Sequence, residues 1–324
     1  MQNVSRNGRA VRRAWSSAVA VAALAGTAAW TGSRARRAEQ ENPPVGRFIT
    51  VDGVRLHYFE RGSGQPLLLL HGNVVRLQDF LVSGLIDRLA ERYRVIAFDR
   101  PGFGHSKRPR DRLWTAAAQA ELLHATFASL GIERPIVLGH SWGALTALEL
   151  ALRKTAAVRR LVLVSGYYFP TARIDVPIFA APAIPIIGDV MRYTVSALFA
   201  RLTLNRVIKT MFSPQAVPPD FVRSMVRELM VRPSQIRANA EDAAFMIPAA
   251  TSLRKRYGEL NVPAIIMAGG ADRVVDPDAH ARRLHRELKR SELHILPGVG
   301  HMLHHFAREE ILSVLTREPE PAFI

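Results

Sequence analysis

One serine in this chain has neighbours of the kind that a catalytic nucleophile needs. Ser141 lies in the run Gly-His-Ser-Trp-Gly at residues 139–143, between an apolar stretch predicted as a strand and a stretch predicted as a helix. A serine on such a sharp strand-to-helix turn has a strained backbone, and the flanking glycines remove the clashes that side chains would cause there. The pattern predicts that Ser141 is a nucleophile exposed above the end of a sheet.

A serine hydroxyl needs a base to take its proton, because it is a weak nucleophile at its own pKa. The chain holds eleven histidines. We predict His301 as the base, because it emerges from a glycine-rich turn directly after the last predicted strand. His304 and His305 remain open as alternatives. His71 and His140 lie inside other motifs and are interpreted as structural.

The base in turn needs a carboxylate that orients its ring and stabilises its charged form. Asp272 ends the run Gly-Gly-Ala-Asp, which follows a predicted strand at residues 263–268. Asp276 is the competing candidate four residues later. We favour Asp272 because it lies nearer the strand end, and the chain order Ser, Asp, His is that of a known type of catalytic triad.

Acyl transfer also needs hydrogen-bond donors for the negatively charged oxygen of its intermediate. The backbone N–H of Trp142, at the start of the predicted helix, is one candidate. The backbone N–H of Asn73 is the other, in the run His-Gly-Asn after the predicted strand at residues 66–70. Gly72 would let the backbone approach closely at this point. Together these two residues are the predicted oxyanion hole.

Short apolar runs alternate with helical patterns from residue 47 onward, which favours an α/β fold with a mostly parallel, doubly wound sheet. The predicted strands are residues 47–51, 54–59, 66–70, 95–98, 135–138, 161–164, 263–268 and 293–296. The main predicted helices between them are residues 114–130, 142–154 and 278–289.

A long insertion interrupts this alternation at residues 167–261, which leaves 47–166 and 262–324 as the predicted core. The insertion shows no clear buried strand, and its helical segments include residues 189–204 and 219–230. We interpret it as a helical cap over the carboxyl ends of the strands, where such folds place their sites. Its apolar start suits either the lining of a pocket or the cap's own core.

Five motifs in order now carry a resemblance to a known family. They are Leu-Leu-His-Gly-Asn ending at 73, Phe-Asp-Arg-Pro-Gly-Phe-Gly-His-Ser at 98–106, the serine motif at 139–143, Gly-Ala-Asp at 270–272 and Gly-His at 300–301. From about residue 47 to 315 the chain resembles the α/β-hydrolase superfamily, and within it the branch of haloalkane dehalogenases, epoxide hydrolases and cofactor-free haloperoxidases. The resemblance implies a triad and an oxyanion hole made of Ser141, Asp272, His301, Asn73 and Trp142.

One departure from that branch narrows the chemistry. In dehalogenases an Asn after His-Gly and a Trp after the nucleophile hold the leaving halide, and Asn73 and Trp142 match them. Their nucleophile is an aspartate, whose alkyl ester water can cleave, whereas a serine ether would have no such exit. Ser141 therefore favours hydrolysis of a carboxylic ester or related acyl compound with a small apolar substrate. The alternatives are cofactor-free perhydrolase or haloperoxidase activity and a non-catalytic receptor that uses the same pocket.

The N-terminus predicts a separate role. After a basic tail at residues 1–13, residues 14–32 carry no charge and have about the length that spans a bilayer. We predict a signal anchor or a cleavable signal peptide there, with a disordered leader as the alternative, and a polar linker at residues 33–46. The expected location is therefore the cell membrane, with export as the alternative.

Composition excludes several classes of function. The 324 residues contain no cysteine, which rules out a thiol nucleophile, a disulfide framework and a cysteine-bound zinc. Of the net charge of +16, six charges lie in residues 1–40, which hold seven arginines and one acid. The remaining charge is dispersed, so we expect no nucleic-acid partner. The sequence implies neither a cofactor nor a metal, and it does not indicate an oligomeric state.

Overall fold

The apolar runs of the core form one eight-stranded sheet. The protein is described by a computed structural model, which covers residues 2–172 and 176–317, with side chains from residue 15 onward. The strands are Arg47–Val51 (β1), Val54–Arg61 (β2), Pro66–Leu70 (β3), Arg94–Phe98 (β4), Ile136–His140 (β5), Arg160–Val164 (β6), Ala264–Gly269 (β7) and Ser291–Leu296 (β8).

The strand order is β1-β2-β4-β3-β5-β6-β7-β8. Strands β1 and β2 pair antiparallel, as do β2 and β4, and every pairing from β4 through β3 to β8 is parallel. The predicted α/β class with a mostly parallel sheet is therefore confirmed. Because the chain enters each parallel strand from the same side, the carboxyl ends of β3, β5, β7 and β8 meet along one edge.

Both faces of the sheet are covered by helices. The helices that pack around it include Gln78–Val82 (α2), Leu85–Ala90 (α3), Ala116–Leu130 (α4), Trp142–Arg153 (α5), Arg283–Glu287 (α12) and Arg308–Thr316 (α13). Strand β3 shows why its run is apolar throughout: Leu68 and Leu70 pack into one core cluster, and Leu67 and Leu69 pack into the cluster on the opposite face. Successive side chains of a strand point to opposite faces, so a strand covered on both sides has no polar positions.

Between β6 and β7 the described residues form a helical insertion. Its helices are Val176–Ala180 (α6), Ile187–Met191 (α7), Val195–Phe212 (α8), Pro219–Ser224 (α9), Arg227–Met230 (α10) and Pro233–Leu253 (α11). The two segments that we predicted as continuous helices, 189–204 and 219–230, are each broken. Thr194 and Met225 lie at the breaks with only 3% and 4% of their surface exposed. Burial of these side chains outweighs the helical periodicity of the sequence.

The N-terminal residues form one long helix, Gln2–Glu41 (α1), which differs from our prediction of a linker at 33–46. Its last turns pack against the helical insertion, where Thr31 and Ala38 are buried. Two ion pairs hold it there: Arg34 with Glu228 at 3.1 Å and Glu39 with Arg232 at 2.9 Å. Residues 33–41 are helical because these contacts give the arginine-rich stretch partners that a linker would lack.

The prediction of a membrane anchor or export segment at residues 14–32 has to be corrected. Among residues 2–172 and 176–317, no helix combines the length and the apolar character that crossing a bilayer requires. The prediction of a membrane or export location is therefore wrong. It relied on the absence of charge, but the stretch is rich in alanine and interrupted by Ser16, Ser17 and Thr27, so its mean hydropathy is too low.

Candidate active site

The nucleophile candidate lies on a strained turn between β5 and α5. Ser141 has φ of 53°, in the left-handed region that few residues other than glycine adopt. A Cβ at position 139 would lie 2.6 Å from the Gly143 carbonyl oxygen, and one at Gly143 would lie 2.2 Å from the Leu70 carbonyl oxygen. Both glycines are required by close packing, which is the reason that the sequence pattern suggested.

We expect Gly143→Ala to destabilise the fold by about 3 kcal/mol, because the added methyl group would overlap the backbone of β3. Thermal unfolding followed by circular dichroism would measure the effect. Gly258→Ala is the matched control, because a Cβ there would have no atom within 4 Å. Equal unfolding temperatures for the two variants would contradict this account of the turn.

Three of the predicted residues meet above this turn. The Nε2 atom of His301 lies 3.0 Å from Ser141 Oγ, and its Nδ1 lies 2.8 Å from Asp272 Oδ2. The other carboxylate oxygen of Asp272 accepts the backbone N–H groups of Val274 and Val275 at 2.8 and 3.0 Å. These two bonds fix the carboxylate, so His301 can hold a proton on Nδ1 and accept one from the serine on Nε2.

The competing carboxylate, Asp276, has a different local role. Its Oδ1 accepts the backbone N–H groups of Asp278 and Ala279 at 2.8 and 3.2 Å. These bonds cap the start of the π-helical turn Asp278–Arg282, and the carboxylate is exposed. The structure therefore brings Asp272, and not Asp276, to His301.

The alternative bases His304 and His305 face a buried carboxylate that sequence reasoning missed. Their Nε2 atoms each lie 2.8 Å from one oxygen of Asp79, which is on α2. Burial alone would raise the pKa of Asp79, but the two histidines outweigh it and lower that pKa below its usual value. The three side chains are close enough to hold a metal ion, although the two hydrogen bonds already account for the arrangement. No sequence signal joined Asp79 to the two histidines, which lie 225 and 226 positions away in the chain.

The predicted oxyanion-hole residues flank the serine. Trp142 is the first residue of α5, so its backbone N–H belongs to the helix terminus beneath the serine. Asn73 follows β3, and the loop comes so close that a Cβ on Gly72 would lie 3.1 Å from the Cβ of Ser141. The side-chain amide of Asn73 donates to the Asn239 carbonyl at 3.3 Å, which ties this loop to α11.

A cavity of about 280 Å³ opens onto these residues. Its walls come from the helical insertion and are apolar, with Ile178, Phe199, Leu204 and Met246 among them. His301 is the only titratable group of the described residues that line it, apart from the hydroxyl of Tyr167. At the apolar start of the insertion, Ile178 and Phe179 take the first of the two roles left open above, because they line the cavity. Ile184, Ile186 and Ile187 take neither role: they do not line this cavity, and they are exposed rather than buried in a core of the insertion.

The imidazole of His71 is fully buried, at the start of the loop 71–73 that holds the predicted oxyanion residue Asn73 and is called the oxyanion loop below. Burial, followed by the neighbouring Arg100 guanidinium, lowers its pKa to about 3. In the unfolded chain the same group titrates near 6.5, so between these values the unfolded state binds a proton that the folded state does not. Its contribution to stability is complete above pH 6.5 and is lost as the pH falls through this window.

We therefore expect the free energy of unfolding to fall by up to about 1.4 kcal/mol per pH unit below pH 6.5 on account of His71. Urea unfolding at pH 7, 6 and 5 would measure the slope. The slope should be smaller in His71→Gln, and what remains should come from the other histidines whose pKa values burial lowers, His105, His140 and His304. Identical slopes for wild type and variant would contradict this assignment.

Sequence comparison decides the family. The profile of the family described as alpha/beta hydrolase fold matches residues 65–307, about three quarters of the chain. The chain belongs to the α/β-hydrolase family. The resemblance drawn from the five motifs is thereby confirmed.

Its relatives carry out several hydrolytic reactions. The chain is 28% identical over 267 residues to 2-hydroxymuconate semialdehyde hydrolase of Pseudomonas putida, covering 82% of this chain and 90% of that protein. It is 30% identical over 138 residues to haloalkane dehalogenase 2 of Mycobacterium bovis, covering 43% and 48% of the two chains. Among solved structures, an esterase from Exiguobacterium antarcticum superposes with a TM-score of 0.69 at 23% identity. The superposition covers 84% of this chain and 98% of the esterase. This chain is accordingly a hydrolase of the family.

Proposed function

We propose that this protein is a serine hydrolase that cleaves carboxylic esters through an acyl-enzyme, and that the acyl group of these esters is apolar and uncharged. The observation that carries the proposal is the position of His301, within hydrogen-bond distance of both Ser141 and Asp272 at the floor of an apolar cavity. A nucleophile, a base and a carboxylate in this arrangement are the parts that acyl transfer to a serine needs.

In the proposed reaction Ser141 Oγ attacks the ester carbonyl while its proton passes to His301 Nε2. Asp272 stabilises the resulting imidazolium, and the backbone N–H groups of Trp142 and Asn73 hold the negatively charged oxygen. The intermediate then collapses, and the leaving alkoxide takes the proton from His301. A water molecule then gives a proton to the same histidine and attacks the acyl carbonyl. The bond to Ser141 Oγ breaks, His301 returns the proton to that oxygen, and the acid leaves.

The cavity supports the choice of an uncharged acyl group. The described residues that line the cavity include no Asp, Glu, Lys or Arg, so an acidic acyl chain would lose its hydration without gaining an oppositely charged partner from those types. Aliphatic side chains from α6, α8 and α11 instead offer dispersion contacts along an alkyl chain.

A fluorophosphonate probe followed by peptide mass spectrometry would test the proposal. We expect the full-length protein to be labelled on Ser141, and turnover of p-nitrophenyl esters to rise with acyl length until the cavity is filled. The Ser141→Ala variant should not be labelled, and its turnover should fall by about 10⁴-fold or more. A folded protein that binds esters but resists the probe would reject the proposal and favour a non-catalytic receptor.

A further inference from the structure

The peptide bond between Gly72 and Asn73 is held from its carbonyl side. The Gly72 carbonyl oxygen accepts a hydrogen bond from His71 Nδ1 at 2.7 Å and another from an Arg100 terminal nitrogen at 3.0 Å. The N–H at the other end of this same peptide belongs to Asn73. In the proposed function this N–H stabilises the oxyanion.

The hydrogen bonds of His71 determine which of its nitrogens carries the proton. Its Nε2 lies 3.0 Å from the backbone nitrogen of Arg100, which can only donate. Nε2 must therefore accept, so in the neutral ring the proton is on Nδ1 and points at the Gly72 carbonyl. The Gly72 carbonyl oxygen therefore accepts both hydrogen bonds, and one of the two donors, Arg100, is charged.

A trans peptide is planar, and its C=O and N–H point in opposite directions. Donors that fix the carbonyl of Gly72 therefore fix the direction of the Asn73 N–H. They also draw electron density toward the carbonyl oxygen, which strengthens the N–H as a donor. We propose that Arg100 is a positioning residue that, together with His71, orients and polarises the peptide whose N–H stabilises the oxyanion. This inference rests on the proposed function.

The remaining contacts of Arg100 extend the same role to the second oxyanion residue. Its side chain is fully buried, with the guanidinium 4.5 Å from the centre of the Trp142 ring, and it pairs with Asp242 at 2.6 Å. The backbone carbonyl of Asp242 accepts the indole N–H of Trp142 at 3.0 Å. Asp242 lies on α11, so the Arg100–Asp242 pair joins both oxyanion residues to the helical insertion.

Only arginine suits this position. Its Nε donates to the His71 carbonyl at 2.8 Å while the two terminal nitrogens reach Gly72 and Asp242. A planar guanidinium can satisfy acceptors in three directions at once, whereas a lysine offers one compact charge on a flexible stem. Arg100→Lys should therefore keep a positive charge beside Asp242 but lose the hold on the peptide.

The experiment compares Arg100→Lys and Arg100→Met with Arg108→Met. Arg108 is the matched control because it is also buried and pairs with Asp242, at 3.1 Å, but its other bonds go to Glu241 and to carbonyls outside the oxyanion loop. Functional sites are counted by fluorophosphonate labelling, so only folded enzyme enters the comparison. For each protein we would measure kcat, KM, the inhibition constant of a trifluoromethyl ketone and the carbonyl stretching frequency of the acyl-enzyme.

We expect both Arg100 variants to lose about 10- to 100-fold in kcat, less than full removal of an oxyanion donor costs, with KM nearly unchanged. The inhibition constant of the ketone, whose adduct carries an oxyanion, should rise by the same factor. The acyl carbonyl should vibrate at a higher frequency, because its hydrogen bond is weaker. Arg108→Met should leave kcat, the inhibition constant of the ketone and the carbonyl stretching frequency close to their wild-type values.

Two results would overturn this role for Arg100 while leaving the proposed function intact. One is wild-type kcat and ketone inhibition in Arg100→Lys, the variant that best preserves the fold. The other is an equal loss in Arg108→Met, which would assign the effect to general packing around Asp242. If the wild-type enzyme itself resists the fluorophosphonate, both the proposed function and this inference are rejected.

Discussion

Replacing Ser141 with alanine should lower kcat/KM for a p-nitrophenyl ester by about 10⁴-fold or more, because no other group can form the acyl-enzyme. Initial rates at matched protein concentration would measure the loss. The unfolding temperature should change little, since the alanine methyl group fits where the serine Cβ already lies. Any residual turnover should not show the burst of product that acyl-enzyme accumulation gives.

Ser196→Ala is the matched control for this variant. Ser196 lies on α8 and also lines the cavity, but the described hydrogen bonds connect Ser141, and not Ser196, to His301. We expect its kcat to stay within about threefold of wild type, as for a contact that binds substrate and transition state equally. If the two alanine variants lost activity equally, Ser141 would not be the nucleophile.

The second large effect is expected at Asp272. The change Asp272→Asn should lower kcat by about 10³- to 10⁴-fold, because an amide that donates to His301 Nδ1 leaves the proton on the wrong nitrogen. The ring could then no longer accept the serine proton at Nε2. Steady-state kinetics would measure the loss, and KM should change far less than kcat.

Asp276→Asn makes the same chemical change four residues away. There an asparagine can still accept the backbone N–H groups that Asp276 now caps, so kcat and the unfolding temperature should both stay near wild type. A loss of kcat in this variant, with normal activity in Asp272→Asn, would exchange the roles of the two carboxylates.

Much of the candidate site was predictable because it depends on local patterns. The glycines around Ser141 reflect clashes within one turn, and a strand followed by a glycine-rich turn marks the position of His301 along the chain. In a parallel sheet the carboxyl ends of the strands share one edge, so residues that follow different strands were expected to meet. The order of motifs was enough for the family, which the profile match then confirmed.

Predictions from local patterns were wrong where a residue's partner lies far away in the chain. A polar linker was predicted at residues 33–46, whereas residues 33–41 continue helix α1, whose end pairs with Glu228 and Arg232. Likewise, the helical periodicity around Met225 gave no sign of a break, because the break follows from burial against other helices.

The sequence by itself determined the fold class, the family and the chemical types of the site residues, because these depend on side-chain chemistry and on short-range spacing. Only the tertiary structure decided which carboxylate faces His301 and that His304 and His305 face Asp79. It alone showed that Arg100 bonds both the carboxylate of Asp242, 142 residues away, and the backbone carbonyl of Gly72. The physical reason is that a buried charge selects its partner by the position to which the fold brings each group, and no spacing in the chain encodes that position.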